Sequence, residues 1–499
     1  MKLAACAFFF FLCLPSQAKT STKILNVRLV DPPVSLDWGG QATLAEAPII
    51  VNLCEGLYTY DYASKRLIPG IAASLKKSDD LKQYTFTIRK TAKWSDGRPI
   101  YAQDFVDAWK RVTSPQTTSI YSYYFSDVKT FEATSDRTLV VTLKRPNHQW
   151  EATTAFWPFF PVRKDLMEKN GTNWWHAGLL ASSGPFTFES YEAGKKLVMK
   201  RNRYYPRHDS NVDEIDVYFI ADHDAALKKY ESKFFPFISD LPFKLMSELS
   251  KRKDFRFVPL MRHHLIAFNV QKYPLSNRDF RLAVLSAIQP KTLLPKNAIS
   301  LKVGQTLIPP PLPGSEKPTA VPYDVSAAKK YLKKSGVVIT PSLKIRILTS
   351  IAEPFYSIGK SIQSQLSKTL GLNIDLAALQ NQEYTAYMNL GDYNASLMSW
   401  TAKVVSPQDF LLPYSGEAPS NRTHFKSPFY DQWIFEGARA KSEKEAAKSF
   451  YRAQHLLSAE EAVVNPLFYE SSGALISSRI RGIYFNHMGL PIFKDVRLQ

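Results

Sequence analysis

A chain of 499 residues is too long for one compact core and implies two or three domains. Hydrophobic residues make up 45% of it and aromatic residues 13%, which excludes a disordered chain. The 64 Lys and Arg exceed the 45 Asp and Glu by a formal net charge of +19, but they are spread along the chain with no arginine-rich arm. That argues for a basic solubilising surface or a pull toward anionic ligands, and against a nucleic-acid partner.

Residues 1–18 read as a targeting segment. Lys2 is a minimal positive start, Leu3–Leu14 is apolar, and Ser16-Gln17-Ala18 places small residues where signal peptidase reads, so cleavage is predicted after Ala18. The apolar stretch is too short to span a bilayer. Leu3-Ala4-Ala5-Cys6 offers a lipoprotein alternative, weakened because no hydrophobic stretch precedes it; Cys13 follows Leu12 where a small residue is needed. No later run reaches ~20 apolar residues, so the mature chain is expected to be exported and soluble. Cys54 then remains alone, which excludes an intrachain disulfide and a cysteine metal site. It is expected as a small buried hydrophobe beside Leu53.

Ile24–Val30 alternates as a first strand, and Ala42–Leu57 has helical character. In Tyr84–Val112, Tyr84, Phe86 and Ile88 alternate with Thr85, Thr87 and Arg89, which predicts a half-buried strand. Asp96-Gly97 supplies a tight turn before Pro99. Phe105, Val106, Ala108, Trp109 and Val112 then share one helix face. A second strand is predicted at Thr138–Leu143, and the aromatics between Asp127 and Trp175 are expected to pack a core. Phe186 and Phe188 open a hairpin that turns at Glu192–Lys195 and returns through Leu197–Lys200. A helix carrying Leu245 and Leu249 follows, then a strand at His264–Val270 and a connector at Pro309–Pro313. Asp324–Lys334 predicts a helix stopped by Gly336. Leu343–Leu348, Phe355–Leu370 and Ile374–Ala378 form a βαβ pattern continuing toward Ala395–Trp400, with a returning strand at Val463–Tyr469.

The words of the Tyr84–Val112 stretch, a Tyr-Thr-Phe strand, Lys-Trp-Ser-Asp-Gly, then Asp-Phe-Val and a Trp, resemble the signature of the periplasmic oligopeptide-binding proteins of ABC importers. Ser35-Leu36-Asp37, Glu55-Gly56-Leu57, Pro69-Gly70-Ile71-Ala72, Ser183-Gly184-Pro185-Phe186 and Asn421–Pro428 extend the resemblance over nearly all of the mature chain. It implies an α/β, two-lobed periplasmic-binding-protein-like fold with a third, inserted domain. The edges it implies are domain I at 19–54, 181–268 and 482–499, inserted domain II at 55–180, and domain III at 269–481. It also implies an exported monomer that captures a peptide or peptide-like ligand and delivers it to permease subunits, without a cofactor.

No Gly-x-Ser-x-Gly, His-Glu-x-x-His, phosphate-binding Gly-rich loop or Cys pair is present. His263 and His264 are adjacent, so in a strand they point to opposite faces and make no metal pair. The expectation is therefore a receptor and not an enzyme, with an exported hydrolase as the alternative from another class. An envelope chaperone or sensor built on the same fold is a further alternative.

The resemblance aligns the ligand-contacting segment with Asn394–Lys403. Trp400 then belongs to the cleft wall, with a core tryptophan as the alternative, and the backbone of Ser399–Thr401 supplies donors and acceptors. Pro32, Pro33 and Val34 line the other lobe, where the two prolines lack N–H groups. Tyr121, Tyr123 and Tyr124 are candidates for an aromatic wall, with surface packing as the alternative. Lys403 departs from the family pattern, which carries an aspartate there to pair with the ligand's α-ammonium. Leu397 and Met388 stand roughly where oligopeptide binders can offer arginines, and Asp240 where an asparagine is common. Three readings stay open: Lys403 meets a ligand anion or an N-blocked peptide, it pairs with Asp240, or it faces solvent.

Overall fold

The computed structural model describes residues 22–64 and 66–499. The targeting segment, its cleavage site and the lipoprotein alternative lie outside these residues. Three larger sheets carry the architecture. The first has four strands in the order Ile24–Leu29, Glu214–Phe219, Lys196–Arg201, Phe186–Glu192. Ile24–Leu29 runs parallel to Glu214–Phe219, so the start of the described chain is tied to a strand far along it. The hairpin turns at Gly194, whose φ of +70° suits a residue without a Cβ.

The second sheet orders Ala72–Lys77, Gln83–Ile88, Thr138–Leu143 and Val128–Ser135, all antiparallel. Helix Ala102–Thr113 packs on it. Tyr84, Phe86 and Ile88 from the alternating strand meet Phe105, Val106, Trp109 and Val112 from the helix in the buried core. The Trp94 indole donates to Asp104 Oδ2 at 3.1 Å, and the same oxygen accepts the Tyr101 amide at 2.8 Å. One carboxylate thus caps the helix and pins the Trp94–Pro99 turn to it. Both sheets share one continuous core, so the inserted segment and the N-terminal sheet form a single lobe.

The seven-stranded third sheet follows the path Phe237–Ile238, Val464–Ile476, Phe255–Phe268, Ala395–Thr401, Lys344–Ser350, Asn373–Leu379, with Leu301–Val303 added on Val464–Ile476. Helix Val325–Ser335 is capped by Asp324 and stopped by Gly336, and helix Phe355–Leu370 is stopped by Gly371, both glycines at positive φ. Lys344–Ser350, Phe355–Leu370 and Asn373–Leu379 make the βαβ unit with parallel strands. The fold is the mixed α/β, two-lobed architecture with an inserted third part.

Two long antiparallel strands join the lobes. Phe255 and Leu475, at one end, sit in a small core beside Tyr218 and Ile220 of the first lobe. Ile266, Phe268, Leu467 and Phe468, at the other end, belong to the core of the second. Between them the register shifts from Pro259 to His263. There the Met261 amide donates to His487 O and its carbonyl accepts from the Ala402 amide, each at 2.8 Å. Segments 181–268 and 269–481 therefore share this sheet.

One local expectation changes. Helical structure in Ala42–Leu57 is confined to Ala47–Leu53, started by Pro48 and ended by Cys54 at φ −132° and ψ 156°. Glu46 holds the preceding turn in place of a longer helix, accepting from the Thr43 and Val34 amides at 2.7 and 3.0 Å. Cys54 is buried and free.

Candidate functional site

Strand Ala395–Thr401 pairs along its whole length with Arg262–Phe268. On its other side it pairs only at Ala395 and Ser396, with Ile347 and Leu348. Lys344–Ser350 then continues alongside Asn373–Leu379 instead. The Tyr384 hydroxyl occupies the fork, 2.5 Å from Ser396 Oγ and 3.1 Å from Leu397 O. Beyond Leu397, no described strand pairs with this edge through Thr401. A run of unpaired backbone donors and acceptors is a template for an added strand.

The sequence-derived residues fall differently along that edge. Ser399 is exposed, while Trp400 and Thr401 are half-buried. Opposite residues share a face, so Ser399 and Thr401 lie with His264 and Arg262, and Trp400 lies with His263. The Trp400 ring joins the core that holds Phe410 and Tyr430. The Thr401 hydroxyl accepts from Arg262 Nε at 2.6 Å.

Lys403 is not paired with Asp240. Among the described residues its Nζ has no ion pair within 4.0 Å. Its amide donates to Asp409 Oδ2 at 2.7 Å, and its carbonyl accepts from His487 Nε2 at 3.1 Å. Burial pulls the Lys403 amine down to about 8; Asp409 opposes this and Arg262 reinforces it. Burial likewise pushes the Asp409 carboxyl up to about 6, against the Lys403 amide and charge and the Trp400 side chain. Tyr123 and Tyr124 of the first lobe lie within electrostatic range of Asp409, their rings tilted at 34° with centroids 4.2 Å apart. Tyr121 is buried, its hydroxyl on Ala42 O, and forms no exposed wall.

Asp240 stands on the opposite lobe, exposed, at φ +58°. Its charge and that of Asp31 act on buried Arg28, whose guanidinium is held by Ile220 O at 2.8 Å. Burial dominates there and lowers the Arg28 pKa. Asp31, Asp240 and Arg28 from one lobe line a cavity of about 250 Å³ together with Arg262 and Glu470 from the crossing strands. Pro32 is exposed, Pro33 buried, and Val34 is 85% exposed with its N–H committed to Glu46.

The sequence did not single out Arg262 and Glu470. Glu470 Oε2 meets His264 Nε2 at 2.7 Å and Arg262 Nη1 at 3.1 Å. Burial alone would raise the Glu470 carboxyl, yet the His264 hydrogen bond and the Arg262 charge hold it at about 2. His263 points the other way, its Nδ1 donating to Leu307 O at 2.6 Å, and burial holds it down at about 4. Strand alternation in the Arg262–His264 run was the available signal; the partner lay too far along the chain to be read.

The description "Bacterial extracellular solute-binding proteins, family 5 Middle" matches residues 66–422. The chain is 26% identical over 487 residues to the periplasmic murein peptide-binding protein MppA of Escherichia coli (strain K12), covering 92% of this chain and 89% of that protein. It is 25% identical over 515 residues to the oligopeptide-binding protein OppA of Bacillus subtilis (strain 168), covering 96% and 93%. The solved structure of the Escherichia coli murein tripeptide binding protein MppA matches with a TM-score of 0.79 at 24% identity, over 96% of this chain and 99% of that one. With its two lobes, its open strand edge and this match over most of its length, the chain belongs to family 5 of the bacterial extracellular solute-binding proteins.

Proposed function

We infer that the protein is an exported receptor that takes a peptide or peptide-like ligand between its lobes and delivers it to the permease of an ABC importer. The observation that carries this reading is the strand edge left without a partner strand beyond Leu397, through Thr401, in a chain of this family. A ligand in extended form adds to such an edge through main-chain hydrogen bonds, while its side chains alternate between faces. Ligand that binds the closed arrangement better draws the population toward it. The family consists of solute-binding receptors, and the reading assigns this chain no catalytic step. Names given to relatives, a murein peptide binder and an oligopeptide binder, support the ligand class. No helix among the described residues is long and apolar enough to cross a membrane, which fits an exported chain cut after Ala18. The division at 54/55, 180/181, 268/269 and 481/482 goes with this reading, with the crossing strands as the shared neck.

Lys403 serves in this reading as the anchor for a ligand anion, because it is a half-buried cation without an ion-pair partner beside a second cation, Arg262. The ligand is then an N-blocked peptide or one that turns a carboxylate or phosphate toward Lys403. Ser399, Trp400 and Thr401 supply the strand edge, Asp240 a polar contact from the other lobe, and Pro32–Val34 the opposing rim. The test is a thermal-shift series on the mature protein with free-amine peptides, N-acetylated peptides and anionic metabolites. Ligand at 100 times its Kd stabilises the native state by about 2.7 kcal/mol. Stabilisation by N-blocked or anionic compounds that Lys403→Ala abolishes supports both parts. Stabilisation by free-amine peptides that is indifferent to Lys403 sinks the anchor and keeps the receptor.

A further inference from the structure

The fork beside Leu397 is a cavity as well as a gap between strands. Strand Lys344–Ser350 sends the chain through helix Phe355–Leu370 to Asn373–Leu379 on one side. The next helix, Asn381–Leu390, carries it back to Ala395–Thr401 on the other side. The direction of winding thus reverses around Lys344–Ser350, and the crevice outside the carboxyl ends of strands at such a reversal is where open α/β sheets hold ligands. A cavity of about 190 Å³ lies there, walled by Phe355, Ile358, Leu397 and Leu467, with Ser350 and Ser399 also lining it.

Asn381, Tyr384 and His264 are its larger polar lining groups, and the rest is mostly apolar. His264 is the one basic side chain in the lining, and its Nε2 is already committed to Glu470 at 2.7 Å, with its ring 4.7 Å from that of Phe355. The Tyr384 hydroxyl is engaged by Ser396 and Leu397. No carboxylate lines the cavity, so a charged group entering it would lose water without gaining an opposite charge. An apolar cavity of about 150 Å³ is known to accept benzene, so this volume suits one benzyl or branched aliphatic group.

We propose that this fork is a specificity pocket that takes one large apolar side chain, aromatic or branched aliphatic, from a ligand paired with the Leu397–Thr401 edge. The proposal rests on the strand-addition reading above and narrows it. Ser399 both lies on the open edge and lines the cavity, so a ligand residue seated beside it directs its side chain inward.

The experiment is a position scan by calorimetry on the mature protein. Alanine pentapeptides, N-acetylated and free, carry a single Phe at each position in turn and are compared with the all-alanine parent. One register should bind at least tenfold tighter than the parent, about 1.4 kcal/mol, and Lys or Glu at that position should not. Ser350→Phe fills the cavity and should bring the Phe-to-Ala affinity ratio toward one. Ile358→Ala enlarges it and should move the preference from Phe to Trp; melting temperatures confirm that both variants fold. A parent that binds with a flat scan overturns the pocket and leaves the receptor reading intact, as does a preference that survives Ser350→Phe. If no peptide binds at all, the strand-addition reading falls and the pocket with it.

Discussion

Strand Ala395–Thr401 and the loop Asp31–Val34 belong to opposite lobes, and they dispose of their backbone groups in different ways. The strand has no partner strand on one edge after Ser396, and beyond the Tyr384 contact at Leu397 that edge carries both donors and acceptors. The loop has two prolines without N–H groups and a Val34 N–H held by Glu46 at 3.0 Å. What remains to it is carbonyl acceptors and the carboxylates of Asp31 and Asp240 beyond. One surface can therefore template a ligand strand, while the other offers few backbone donors. In the receptor reading proposed above, the second lobe would set the ligand's register and the first would close over a ligand already aligned.

That comparison can be broken first on the side that does the aligning. Glu470→Ala leaves Arg262 and His264 without their carboxylate in a partly buried site and should lower stability by about 2–3 kcal/mol in denaturant melts. The same carboxyl supplies a pH test. Its native value of about 2 lies below its ordinary 4.5, so its contribution is full above that ordinary value and fades as pH falls toward the native one. The stability gap between the wild type and Glu470→Gln should accordingly close between pH 4.5 and pH 2.

Lys403→Ala comes next. Losing a charge-assisted contact worth about 1.5–3 kcal/mol should weaken an anionic ligand roughly 10- to 100-fold by calorimetry. Unchanged affinity would remove Lys403 from the ligand's path. Titration sharpens the same point: because the amine loses its proton near 8 in the native protein, anionic-ligand affinity should fall as pH rises through 8. In the unliganded protein the sign is opposite. The unfolded chain binds the extra proton between about 8 and 10.5, so this group's contribution to stability grows with pH over that range.

The smaller effects lie on the other lobe. Glu46→Ala removes a buried carboxylate that accepts from Val34, Thr43 N–H and the Thr43 hydroxyl, and should cost about 1–2 kcal/mol in thermal melts. Val34→Ala, at an exposed position, should stay within about 0.5 kcal/mol. A large effect there would mean that the first lobe does more than close.

Legibility followed the range of the interactions. Helix Phe355–Leu370 is legible because its apolar spacing and Gly371 are local signals, and so is Val325–Ser335 between Asp324 and Gly336. The opposite orientation of His263 and His264 followed from strand alternation alone. The shortened Ala47–Leu53 helix was not legible, because Glu46 binds backwards to Thr43 and Val34 through its side chain. Lys403 and Asp240 match in charge, yet Asp409, six residues on, is brought beside Lys403 by the turn into helix Pro407–Leu411. The Arg262–Glu470 contact needs the two crossing strands laid side by side, which no local pattern announces.

The interrupted ladder between those strands has a mechanical consequence. At the neck, Met261 bonds to His487 and Ala402 and not to the neighbouring long strand. Bending the ribbon at Pro259–His263 therefore ruptures few ladder bonds, and the neck behaves as a soft spring between two stiff plates. The Leu260 amide, in the gap of the ladder, should exchange with solvent faster than those of Ile266 or Phe257, and ligand should slow it. A hinge that stores little elastic energy returns little on opening, so in the receptor reading proposed above the force that releases cargo would come from the docked permease.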